Sequence, residues 1–171
     1  ALLVSVFDPL SAVADEACLK SAELVKKGVD MGDGSDAEIS VYHEAIQRCP
    51  KMVEAHFNMG LALQKKGDLS AAEAKFREAI RIKDDETFRI GLAGVLMQKG
   101  EVSAAREQYE RVLEQNPKSV AALQGTAVIL EKQQNLSEAV ATLQKAGGID
   151  ESNYLTFFNL GVLNEKLKHY D

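Results

Sequence analysis

The 171-residue sequence predicts an all-α fold, an α-solenoid of stacked antiparallel helix pairs. Three observations lead there. Short polar markers return at near-constant spacing, small and large apolar residues recur in phase with them, and apolar runs stay far short of a membrane span. The markers Asp36, Ser70, Ser103, Ser137 and Asp171 lie 34, 33, 34 and 34 residues apart. Ser and Asp readily accept hydrogen bonds from the free N–H groups of a helix's first turn, so each marker reads as the N-cap of a second helix. Ser70 with Glu73 reads as a capping box. Leu69, Val102, Leu136 and Tyr170 stand just before the markers, placed to staple the start of each helix.

The elements follow in order. Residues 1–13 read as the end of a preceding unit, with Asp8-Pro9 as its terminus; a signal-peptide remnant cleaved near Ala12-Val13-Ala14 is the alternative. Residues 14–52 form an irregular first unit: a helix from about Ala14 to Lys27, a turn lengthened by Val29 to Ser35, and a helix from Asp36 to Cys49. That acidic, Gly-rich turn fits no calcium-loop frame, because Met31, Gly32 and Ser40 fall on ligand positions. Units 53–86, 86–119 and 120–153 follow, and 154–171 supplies the first helix of a further one. Each second helix places Ala72, Ala105 or Ala139 early, then Phe76, Tyr109 or Leu143, then Ala79, Val112 or Ala146; Tyr42 and Ala45 extend these columns upstream. This spacing gathers small and large side chains on one helical face. Pro50 and Pro117 close their units. A pair this small cannot bury its own apolar face, so neighbouring units stack.

The columns resemble the tetratricopeptide repeat (TPR), whose 34-residue unit carries a Leu-Gly pair, aromatic positions, two alanines and a terminal proline. Met59-Gly60, Leu63, Gly67-Asp68, Ala72, Phe76 and Ala79 carry the likeness in one unit. Leu92-Ala93, Leu96, Ala105, Tyr109 and Pro117 carry it in the next, then Leu130, Ala139, Leu143 and Ala146, and finally Phe157 and Leu160-Gly161. The resemblance implies a TPR superhelix that binds a protein or peptide partner in a groove lined by first helices. On the matching columns Phe57, Leu61, Ile90, Met97, Val128, Phe158 and Val162 form an apolar track, with Asn58 and Asn159 as hydrogen-bonding amides. Gly91, Gly94 and Gly125 sit among them and suggest close approach by a ligand backbone or a neighbouring helix. Burial of these side chains between units is the competing reading. The carboxylate clamp of chaperone-binding TPR domains is not expected, because only Asn58 matches and neighbouring columns hold Cys18, Ala22, Thr87 and Gly91.

Composition narrows function further. A net charge of −6 without a basic run disfavours nucleic-acid binding. No GxSxG, GxxxxGK[ST] or GxGxxG occurs, and His43, His56 and His169 lie in separate units, so neither enzyme, cofactor nor metal site is expected. Cys18 and Cys49 belong to one unit. A disulfide between them is geometrically possible, but the lengthened turn blurs their alignment and two buried free thiols are the expectation. The expected residence is cytoplasmic, or secretory or periplasmic if residues 1–14 are the remnant of a leader. The expectation is a non-catalytic scaffold or adaptor without membrane insertion. A self-assembling segment, docking through its apolar last helix, or a regulatory arm of an enzyme is the alternative.

Overall fold

A computed structural model describes residues 9–168, with side chains from Glu16 onward. Among these residues the chain forms nine helices and no strand. They cluster into two units that divide between Asp84 and Asp85.

The first unit contains α1 (Pro9–Met31), α2 (Asp36–Arg48), α3 (Val53–Lys66) and α4 (Leu69–Ile82). Here α1 packs on α2, α3 packs on α4, and α3 also touches α1 and α2. The in-phase columns form the core: Ala45, Ala72, Phe76 and Ala79 are fully buried and Tyr42 nearly so. Large rings fit because the facing helix offers glycine. A Cβ at Gly60 would lie 3.0 Å from the Phe76 ring, and one at Gly28 only 2.5 Å from the Tyr42 ring.

The second unit contains α5 (Glu86–Lys99), α6 (Val102–Gln115), α7 (Val120–Lys132), α8 (Leu136–Ile149) and α9 (Tyr154–Lys168). Neighbours in sequence pack as pairs, and α5 reaches α7 across α6. Ala105, Val112, Ala139, Leu143 and Ala146 are buried, as their columns require. One apolar cluster joins Ala127 and Leu130 of α7, Leu136 to Leu143 of α8, and Leu163 of α9, with Leu160 and Leu167 packed beside it.

Several local expectations need correction. The polar markers are not the caps. Asp36 is the first helical residue of α2, and Ser70, Ser103 and Ser137 are the second residues of α4, α6 and α8. The cap of α2 is Ser35, whose side chain accepts from Glu38 N–H, and that of α4 is Asp68, which accepts from Ala71 N–H. Glu101 and Asn135 occupy the cap positions of α6 and α8 without a side-chain bond. Leu69, Val102 and Leu136 are therefore first helical residues rather than residues ahead of the cap. Turns in left-handed conformation, Gly67 at φ 92° and Gly100 at φ 80°, let such tight connections form; Gln134 takes the equivalent place at φ 64°. Ser70 lies inside α4 rather than at its cap, and Glu73 pairs with Arg77. One repeat upstream a variant of the capping box forms: Glu38 accepts from the N–H of Gly34, the residue before the cap, at 2.7 Å while its own N–H donates to the Ser35 side chain, and Ser35 N–H donates to Asp33. Asp171 and Tyr170 fall outside the described residues.

The first helix is longer than expected. α1 continues to Met31, so the connection shrinks to residues 32–35. Residues 9–13 thus belong to the same helix as 14–31. With α1 in this register Cys18 and Cys49 approach to 5.0 Å between Cα atoms and are joined by a disulfide, which overturns the expectation of free thiols. Ser21, one turn further along, donates to the Ala45 carbonyl at 3.0 Å and fastens the same two helices.

Candidate functional site: first-helix faces of the two units

In the first unit a depression of about 220 Å³ is lined by Val29 of α1, Glu38 and Tyr42 of α2, and Asn58, Leu61 and Lys65 of α3. Asn58 and Leu61 thus share one surface, as their column spacing requires. Their setting is more polar than an apolar track implies. Lys65 crosses to the α1–α2 turn and donates to the Gly32 carbonyl at 2.6 Å. The Tyr42 hydroxyl is pushed well above its ordinary value of 10.0, first by burial and then by the Glu38 carboxylate charge and hydrogen bond. Asn58 donates one amide proton to the Glu54 carbonyl of its own helix at 2.9 Å, so its oxygen is the stronger candidate for a partner's N–H. Phe57 is half-buried against Phe76, with ring centroids 5.7 Å apart.

In the second unit the candidate residues separate into three settings. Ile90, Gly94 and Met97 are half-buried along α5. Val128 is exposed and lines a depression of about 360 Å³ with Glu131, Lys132, Gln134, Leu136 and Lys166. Lys166 donates to Glu131 and links α9 to α7. Phe158 and Val162 are exposed on α9, Asn159 is half-buried, and Phe158 stacks on Tyr154 at 6.0 Å. Gly125 is explained without a ligand. A Cβ there would lie 2.2 Å from the Tyr109 ring, so α6 fills the space. Gln124, on the same candidate face, is spent on internal bonds to Asn153 and Thr156 at the start of α9.

Sequence reading missed Val29, because the true length of α1 was hidden by an unusual turn. It also missed Glu38, although Ser35-Asp36-Ala37-Glu38 spells a capping box that could have found it. Tyr154 was missed because its column holds no recurring residue type.

The tetratricopeptide-repeat family profile matches residues 53–86 and again 90–153, over most of the regular units. The chain is a TPR protein. Among curated relatives, the photosystem I assembly protein Ycf3 of Prochlorococcus marinus is 30% identical over 108 residues, covering 60% of this chain and 58% of the relative. The Ycf3 protein of Synechococcus sp. strain CC9902 is 30% identical over 92 residues, covering 52% and 53%. The TPR chain thus spans between half and three fifths of the length of these relatives. Among solved structures, MamA 41-end from Desulfovibrio magneticus RS-1 superposes with a TM-score of 0.75 at 17% identity, covering 89% of this chain and 86% of that one. YrrB, described as a TPR protein with an unusual peptide-binding site, gives 0.65 at 18% identity, covering 84% and 74%. These likenesses establish the all-α helical-repeat class. No described helix of the TPR chain is long and apolar enough to cross a membrane.

Proposed function

We propose that this TPR chain is a non-catalytic interaction module that holds an extended or helical peptide segment of a protein partner on its first-helix faces. The observation that carries the reading is one repeat column. Leu61, Val128 and Val162 occupy equivalent positions, and each remains about two-fifths exposed, at 41%, 39% and 38%. An exposed helix column with no partner is expected to be polar. Phe57, Ile90, Met97 and Phe158 flank that column, Gly94 is its member on α5, and Asn58 and Asn159 supply amides beside it. The peptide-binding site named for YrrB supports this class of ligand, and the assembly role named for the Ycf3 relatives supports service in building a protein complex.

The test selects peptides from a displayed random library and measures their affinity by fluorescence anisotropy. Leu61→Glu and Val128→Glu, separately and together, are expected to weaken binding at least tenfold while helical circular dichroism stays unchanged. Affinity indifferent to both substitutions would overturn the reading.

A further inference from the structure

The disulfide of the first unit holds a helix that supplies part of the peptide face. Gly28 lies under the Tyr42 ring as Gly60 lies under that of Phe76. Val29, the next residue, therefore continues the column of Leu61 upstream. It is 53% exposed, and with Gly32 it forms the α1 side of the depression that Leu61 and Asn58 line from α3. The stripe that α1 turns to α2 is built from small residues. Cys18 is bonded to Cys49, Ser21 donates to the Ala45 carbonyl, and Gly28 meets the Tyr42 ring. Among the described residues of α1 no large apolar side chain is buried, whereas α3 buries Met59 and Leu63. Small residues gain little from burial, so much of the hold on α1 falls to the disulfide. Its sulfurs are within reach of solution. A depression of about 290 Å³ is lined by both cysteines with Arg48, Pro50 and Lys51. Cys18 is half-buried there and Cys49 is 8% exposed.

We infer that a dithiol reductant opens the Cys18–Cys49 bond in the folded chain and thereby withdraws α1 from the peptide face of the first unit. The inference rests on the peptide-binding role proposed for that face. One thiolate of the reductant attacks Cys18 Sγ, the more accessible sulfur. The Cys18–Cys49 bond breaks, and Cys49 leaves with its electron pair and takes up a proton. Lys51 and Arg48, the latter also bonded to Glu44, line the depression where that thiolate forms and favour its departure. The second thiol of the reductant then displaces Cys18 from the mixed disulfide. Two electrons pass to the cystine, which becomes two thiols, while the reductant becomes a disulfide. A link across a sequence separation of 31 biases docking of α1 on the order of a hundredfold, so its loss populates the detached helix. Because α1 is continuous from Pro9 to Met31, Val29 leaves together with Cys18, and Lys65 loses the Gly32 carbonyl.

The experiment follows fluorescence anisotropy of a library-selected peptide with the 171-residue chain, oxidised or in excess dithiothreitol, without denaturant. Thiol alkylation and mass measurement report the state of the bond. Reduction is expected to go to completion in the folded chain, to leave helical circular dichroism intact and to weaken the peptide at least about fivefold. Hydrogen exchange should rise in α1 while α3 and α4 keep their protection. Val29→Glu should weaken binding to the oxidised chain and change the reduced chain little. A Cys18→Ser/Cys49→Ser variant should bind weakly in both conditions. A bond that resists dithiothreitol until the chain is denatured would overturn the proposal. Loss of helical circular dichroism on reduction would also overturn it, since the bond would then hold far more than α1. Equal affinity of the two forms, with Leu61→Glu still weakening the oxidised one, would sink this inference and leave the peptide reading standing. Indifference of the oxidised chain to Leu61→Glu would sink both.

Discussion

At the scale of single residues the structure turns on where a Cβ can stand. Gly125 has no room for one because the Tyr109 ring occupies the site. Gly125→Ala is therefore expected to destabilise the chain by about 1–3 kcal/mol through overpacking, read as a lowered denaturation midpoint at unchanged slope. Gln134 is the opposite case. It holds φ 64° where the equivalent turns use Gly67 and Gly100, and a side chain in that region costs roughly 1 kcal/mol. Gln134→Gly should raise stability by about that amount in a denaturant titration. Titration offers a third test. Burial pushes the Tyr42 hydroxyl far above 10.0, helped by Glu38, and raises that of Tyr109. Raised acids of this kind contribute stability that is complete below the unfolded value and lost as pH climbs beyond it. Denaturation midpoints measured from pH 8 to 11 should fall above about 10, and a Tyr42→Phe/Tyr109→Phe double variant should flatten that fall.

At the scale of elements the repeat period was legible because helix pairing demands it. Ala72, Ala105 and Ala139 had to be small and Phe76, Tyr109 and Leu143 large, and all six are buried. Cap positions were less legible. Ser70, Ser103 and Ser137 recur as faithfully as any column, but periodicity reports that a position repeats and says nothing about which residue bonds a free N–H. Asp68 carries that bond at α4, while the cap residues Glu101 of α6 and Asn135 of α8 make none through their side chains. The first pair was hardest, since α1 follows no repeat boundary and its length decides whether the cysteines meet. Their disulfide closes a loop with a sequence separation of 31. A loop of that size is worth about 3–4 kcal/mol in the chain-entropy account. Cys18→Ser with Cys49→Ser should lower stability by roughly that much, and reduction of the native chain should match it.

For the whole molecule the fold was readable and the site only in part. Columns such as Leu61, Val128 and Val162 could be placed from spacing alone, and all three side chains are exposed. What spacing could not supply was how each side chain is already employed. Gln124 is committed to Asn153 and Thr156, Gly125 to Tyr109, and one Asn58 proton to Glu54. In repeat proteins stability is close to a sum of local terms and nearest-neighbour interfaces. Loss of the disulfide should accordingly raise hydrogen exchange in α1 and α2 while α7 and α8 keep wild-type rates. Spreading of the effect to α7 and α8 would mean that the chain unfolds as one cooperative block.

The bond between Cys18 and Cys49 also spans the short glycine-bearing connection at residues 32–35. A protease that nicks the backbone there would cut the chain without releasing either piece. The two fragments would migrate together on a gel run without thiol and part only when thiol is added.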